Sequence, residues 1–364
     1  MRRNNGAVRA IWRGAMAGIG GAACLLAGCG EPTAGGGGGG GTGGGPPVTI
    51  TGLVAGPGEA PFAAWAPAFE KLHPQIQIGD ETPGSHGPKP FTNGEVDFIL
   101  SDAPPTGAQR ITQASARHAE VLAVPLAVQA ISPVYDVPGV TAALNFTPEV
   151  LAGIFLGTIT HWNDPALAAA NPGVALPNLE IVPVHRSDAC GATARFTAFL
   201  TGASEDWKRK VGANSYVSWP VGVDAKGDEG VALVVGKTPG TIGYVGLHTA
   251  VAEHLTCGHV RNAAGKFVAA DMASLSAAAA AAEGQPAGGW IVDPPGDGSY
   301  PLCAYVWLVL PDRLPGVGRE KALSDFAVYA LTDGQAELER MGYAPLPAQT
   351  AEGAINTVRA VNVE

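Results

Sequence analysis

Apolar and polar positions along this chain of 364 residues alternate between two periods. The stretch "PVTITGLVAG", Pro47 to Gly56, predicts a strand that runs into a glycine-rich turn. In "APFAAWAPAFEKLHP", Phe62, Trp65 and Phe69 recur at helical spacing, and Pro74 ends the element. "QIQIGDE" alternates as a second strand. "VDFILSDAPP", Val96 to Pro105, is a short apolar strand that opens onto Ser101 and Asp102. Strands alternating with helices predict an α/β fold with largely parallel sheets. In such sheets ligands gather where strand ends meet helix starts.

Further along, Trp162 to Ala170 predicts a short helix, and "LEIVPVH" a strand leading into "HRSDACGATARFTAFLT", His185 to Thr201. "TPGTIGYVG" reads as a turn and a strand. The alanine run Ala277–Ala282 predicts helix surface rather than a repeat unit. "YPLCAYVWLVLP" is a strongly buried strand, and "EKALSDFAVYALTDGQAELERMGY" predicts a pair of amphipathic helices. There is no internal repeat. The apolar stretch Val121–Tyr135 is broken by Pro125 and Pro133 and falls short of a membrane span.

The first 28 residues are expected to lie outside the fold. Arg2, Arg3, Arg9 and Arg13 precede the apolar run "AMAGIGGAACLLAG", the pattern of an export signal. "LAGC", Leu26 to Cys29, resembles the lipobox of bacterial lipoproteins, which implies that Cys29 is acylated and becomes the mature N-terminus. Residues 29–47 then comprise the lipidated Cys29 and a glycine-rich tether over residues 30–47. Its glycines are no phosphate cradle, because no strand precedes them and no Lys-Ser or Lys-Thr helix follows. Eighteen such residues reach roughly 23 Å. About 317 residues from Val48 remain, enough for two domains.

The chain carries −10, and loss of the four leader arginines leaves −14. This excludes nucleic acid as a partner by charge, and any anion must be held by local donors. Five cysteines are present; Cys24 leaves with the leader and Cys29 takes lipid. Cys190, Cys257 and Cys303 are left, an odd number in an exported protein. One disulfide and one free thiol are expected, and the sequence does not choose the pair. His254, Cys257 and His259 fit no common zinc spacing, so no metal or cofactor is expected.

The stretch from His185 holds the densest chemistry. A helix start offers unpaired N–H groups and the positive end of a dipole. Cys190, Gly191 and Ala192 stand at that start, with Arg186 adding a planar fork for two oxyanion oxygens. The opposing reading makes Cys190 a nucleophile with a thiol pKa lowered by the helix start, Arg186 and His185. If "IVPVH" is a strand, however, His185 points away from Arg186.

These stretches resemble, in order and over nearly the whole mature chain, the phosphate-binding proteins of bacterial phosphate-specific ABC transporters. The matching motifs are "ITG" at Ile50, "VDFILSDAP" at Val96, "LAGIFLGTITHWNDPAL" at Leu151, "HRSDACGATARFTAFLT" at His185, "WPVGVDAKGDEGVA" at Trp219, "TPGTIGYV" at Thr238, "NAAGKFV" at Asn262 and "GYAPLP" at Gly342. The resemblance implies a two-domain, type II periplasmic-binding-protein fold of the Venus-flytrap kind, with its ligand in the cleft. Domain I would hold residues 48–126 and 296–364, and domain II residues 127–295. It implies a monomer that carries inorganic phosphate to permease subunits, on the periplasmic side of a bacterial membrane and held there by lipid. Arg186 and Asp102 match the family's ligand residues. Asp102 would accept a hydrogen bond from the proton that phosphate still carries, whereas fully ionised sulfate has none to offer. Ser85 matches a ligand serine if one residue is deleted after it.

The chain departs from the family at several donors. Ala189, Cys190, Gly191 and Ala192 stand where the family has Gly-Ser-Gly-Thr, so two hydroxyls are lost and a weakly donating thiol replaces one. Gly56 replaces a threonine, and Pro57 has no N–H. Two alternatives therefore stand beside phosphate import: a binding protein or sensor for another oxyanion or small solute, and a Cys190-dependent enzyme.

Overall fold

The computed structural model describes residues 47–81, 88–283 and 290–361. The expected leader, the lipid site at Cys29, the tether and Ser85 lie outside these residues. Among the described residues no helix is long and apolar enough to cross a membrane.

Strand β1 (Val48–Val54) pairs in parallel with β2 (Ile76–Glu81) and β3 (Phe98–Ser101). Strand β4 (Val121–Tyr135) follows, then the two-residue β5 (Asn145–Phe146). A second parallel set consists of β6 (Val182–Arg186), β7 (Val223–Ala225) and β8 (Thr241–Gly246). Short strands β9 (Thr256–Cys257), β10 (His259–Arg261), β11 (Phe267–Val268) and β12 (Trp290–Val292) lead to β13 (Leu302–Pro311). The main sheet runs β2-β1-β3-β13-β4-β8-β6-β7, with β12 on β13 and β9 on β4, while β11-β10-β5 form a small sheet of their own. The parallel sets and intervening helices are those the alternating pattern predicts, but the main sheet as a whole is mixed rather than largely parallel, because β13 and β4 join the two sets through antiparallel pairings.

The two halves of the main sheet meet in one strand. Residues 121–130 of β4 pair antiparallel with β13, and residues 131–135 pair antiparallel with β8. Pro125 and Pro133 do not interrupt β4. Pro125 lies where the β13 register shifts between Val306 and Trp307, a bulge that leaves Leu126 without an opposite partner. Pro133 contributes through its carbonyl, which accepts from the Gly258 amide at 2.9 Å.

Each half has an aromatic cluster. In the first, Phe62 and Phe69 of the helix Glu59–Leu72 pack edge-on against Phe326 of the helix Arg319–Leu331. Trp65, fully buried, donates to the Gly334 carbonyl at 2.8 Å. In the second, Phe196 stacks on Tyr244 at 4.4 Å, and Phe155 meets both Phe196 and Trp219. Truncating any of these rings except the half-buried Trp219 would cost about 3–5 kcal/mol.

Three further expectations are corrected. No disulfide forms among the described residues: Cys190, Cys257 and Cys303 are all free. Each sits on a different element with its own surroundings: Cys190 opens a helix, Cys257 faces the Leu255 carbonyl, and Cys303 is buried in β13 against the Tyr300 carbonyl. The alanine run is only partly helix surface: Ala280 is exposed, but Ala278 and Ala279 are fully buried in the helix Met272–Ala281. Small side chains there let the helix approach β4 and β13 closely. The second of the two paired helices is a single turn, Gln335–Leu338, continued by a 3-10 turn over Glu339–Met341.

Candidate ligand-binding site

The C-terminal ends of the parallel strands converge on one cavity of about 550 Å³. From the first half it receives Gly56, after β1, and Asp102, after β3. From the second it receives Arg186 at the end of β6, Asp228 after β7, Gly246 at the end of β8, and residues 188–192. Gln129 and Ile131 of β4 line it between the two halves. This is the crevice position expected of parallel α/β sheets.

Arg186 is the best-anchored cation of the site. Its Nε donates to Asp188 at 2.9 Å, one terminal nitrogen donates to the other Asp188 oxygen, and the second reaches Asp228. The two carboxylates are themselves held by backbone amides, Asp188 by Gly227 at 3.0 Å and Asp228 by Gly246 at 2.7 Å. Burial alone would lower the guanidinium pKa. The Asp188 hydrogen bond and the nearby charges outweigh burial and hold it above its ordinary value. The same hydrogen bond pulls the Asp188 carboxyl down to about 2. Three of the five N–H groups of Arg186 are thus spent on orientation, and two remain for a ligand.

The helix Gly191–Ala203 begins beside Arg186. Cys190 is its N-cap: Sγ accepts from the Thr193 amide at 3.4 Å and lies 3.2 Å from the Thr193 hydroxyl. That hydroxyl is also 2.7 Å from the Tyr244 hydroxyl, so it is committed to the interior. The amides of Gly191 and Ala192 have no partner among the described residues, and both residues line the cavity. Two donors of the helix start therefore stand open beside a cation. Burial pushes the Cys190 thiol up, more than Arg186 draws it down, so the sulfur is a neutral thiol near pH 7.

His185 has no access to that thiol. It is 4% exposed, stacks on Trp219 at 4.7 Å and 11°, and places Nδ1 3.4 Å from Asp224. The period of the strand sends it to the face opposite Arg186.

Asp102 approaches the same helix from the other half. Its Oδ2 would lie 1.5 Å from a Cβ built on Gly191, so the carboxylate fits only because that residue has none. The same oxygen accepts from Arg195 at 3.2 Å. Gly56 also lines the cavity, in a left-handed conformation at φ 52° that suits glycine. Its amide does not face a ligand, since it donates to Glu59 at 2.9 Å. Pro57 offers only a carbonyl, which accepts from Tyr343 at 2.9 Å.

The cavity thus brings together Arg186, Asp102, Cys190, Gly191, Ala192 and Gly56. Sequence reasoning missed Asp228, Arg195, Gln129 and His248. Asp228 lies in the family-like motif "WPVGVDAKGDEGVA", directly after Gly227, which was a usable signal. Arg195 and Gln129 lie inside a helix and a strand, where nothing in the sequence marks a cleft. His248 stacks on Tyr343 at 5.4 Å. Burial lowers its pKa despite the pull of Asp228 and Glu229.

A two-part main sheet sharing one strand, with the cleft at the converging strand ends, defines a solute-binding protein of the periplasmic kind. The PBP superfamily domain model matches residues 40–333. The phosphate-binding protein PstS of Methanocaldococcus jannaschii is 34% identical over 320 residues, covering 82% of each chain. That of Pasteurella multocida is 35% identical over 309 residues, covering 84% of this chain and 88% of its own. The chain belongs to the PBP superfamily and, within it, to the family of the PstS proteins. The fold agrees with that of a high-affinity periplasmic phosphate-binding protein solved with phosphate bound. There the TM-score is 0.65 at 20% identity, over 86% of this chain and 93% of the other.

Proposed function

We propose that this protein binds inorganic phosphate in the cleft and delivers it to the permease subunits of an ABC transporter. The observation that carries the reading is the open pair of amides at Gly191 and Ala192, flanked by Arg186 on one side and Asp102 on the other. The amides and the two remaining Arg186 N–H groups donate to phosphate oxygens. The Asp102 carboxylate accepts a hydrogen bond from the protonated oxygen of the ligand, with Arg195 occupied on Oδ2 and Oδ1 left for the ligand. The names of the PstS relatives support the same ligand.

The protein acts as a monomer, without catalysis or cofactor. The raised Cys190 thiol and the turned-away His185 support a non-enzymatic role. The leader and "LAGC" support export and lipid attachment at Cys29, and with them a position on the periplasmic side of the membrane. The lobes are assigned as 48–126 with 296–364, and 127–295; the change of partner within β4 supports two lobes, and its position between Ala130 and Ile131, with β12 paired to β13, favours bounds a few residues further into the second lobe. Calorimetry of the full chain in mild detergent with phosphate, arsenate and sulfate tests the function. Micromolar or tighter phosphate binding is expected, and no heat with phosphate or arsenate would overturn it.

A further inference from the structure

We infer that Arg195 and Gln129 are further ligand-binding residues, and that Arg195 sets the specificity: it neutralises Asp102, so the cleft accepts fully ionised tetrahedral oxyanions as well as protonated ones. The inference rests on the phosphate reading and extends it to the class of anion admitted. Arg195 is 1% exposed yet lines the cavity, and its Nε has no hydrogen-bond partner among the described residues. A buried guanidinium is costly unless its donors are satisfied, which a bound oxyanion would do. Gln129 is 3% exposed and also lines the cavity, and its side-chain Nε2 is buried without a partner. Two unsatisfied donors in one cleft point to a ligand made of acceptors.

The position of Arg195 changes what Asp102 does. A lone carboxylate facing the ligand admits an anion that brings a proton and repels one that does not. Here Arg195 Nη1 sits 3.2 Å from Oδ2, so the ligand meets an ion pair rather than a bare negative charge. Gln129 adds a neutral donor that is indifferent to the protonation of its partner. Together they supply donors in place of the hydroxyls absent at positions 56, 190 and 192, and they do so without asking for a ligand proton.

The test is calorimetry of the full chain in mild detergent at pH 8, with phosphate and sulfate titrated separately. The parent is expected to bind sulfate within about tenfold of phosphate. Arg195→Met should weaken sulfate at least about tenfold more than phosphate, because Asp102 is left unpaired. Arg195→Gln removes the same charge and should give the same shift, and it decides the matter if the methionine variant lacks a cooperative thermal transition. Arg195→Lys should return the ratio towards the parent. Gln129→Met should weaken both ions alike, by roughly fivefold. A parent that binds phosphate and excludes sulfate, or a ratio unmoved within threefold in the neutral variants, overturns the role given to Arg195. Unaltered affinity in Gln129→Met removes Gln129 from the site. A parent that binds neither ion overturns the phosphate reading itself.

Discussion

The carboxylate of Asp102 rests on the bare Cα of Gly191, so close that a Cβ there would fall 1.5 Å from Oδ2. A glycine at the first position of one helix thus lets an acidic side chain from the other half of the molecule reach the cleft. Gly191→Ala should push Asp102 away and break its bond to Arg195. Phosphate affinity is expected to fall at least about tenfold, as oriented charge-assisted hydrogen bonds are lost. The helix itself should tolerate alanine, which is the better helix former. Calorimetry alongside thermal melting checks this: lost binding with an intact melting transition is the expected pair of results.

Arg186→Ala should abolish oxyanion binding and also cost stability. Asp188 and Asp228 surround the guanidinium, and Asp228 is little exposed. Stranding two carboxylates without their partner should lower stability by about 3 kcal/mol. Urea denaturation measures the second effect independently of the first. A variant as stable as the parent would mean that the carboxylates are solvated well enough to stand alone.

Cys190→Ser should tighten phosphate binding roughly fivefold, and adding Ala192→Thr should tighten it by a similar factor again. The serine would also be the stronger N-cap for the Thr193 amide, which now lies 3.4 Å from sulfur. In the parent the raised thiol should react slowly with iodoacetamide at pH 7.5, and more slowly with phosphate present. Rapid alkylation unaffected by phosphate would place the thiol outside the ligand's reach.

The Arg186–Asp188 contact predicts an acid-sensitive term. The Asp188 pKa is depressed to about 2 from an ordinary 3.8. Its stabilising contribution is therefore fully present above the ordinary value and is lost as pH falls through about 2. Asp188→Asn should lower the melting temperature at pH 6 and make little difference near pH 2. Melting curves of the two proteins across that range should converge at the acid end.

Much of the α/β framework was legible in the sequence because its cause is local. The run from Phe62 to Phe69 buries one helix face, and "VDFILSD" ends a strand at the residue that enters the cleft. Arg186 was legible for the same reason, as a cation between a strand and a helix start. Arg195 was not. At a mid-helix position an arginine reads as a solvated charge, and only the approach of Asp102 from a segment 93 residues away makes it part of the cleft. Gln129 was hidden likewise inside an apolar strand. That β4 runs unbroken through its prolines was not legible, because their effect depends on partner strands: a bulge absorbs one, and the other serves through its carbonyl.

Strand β4 changes partner between Ala130 and Ile131 without a break in the chain. Any rotation of one half-sheet against the other must therefore be taken up in part as torsion along a single extended strand, with the ladder bonds on each side preserved. Gln129 and Ile131 flank that point and also line the cavity. The point of torsion and the cavity thus share their backbone, so Gln129, here proposed to meet the anion, would also bear part of the twist that its capture demands.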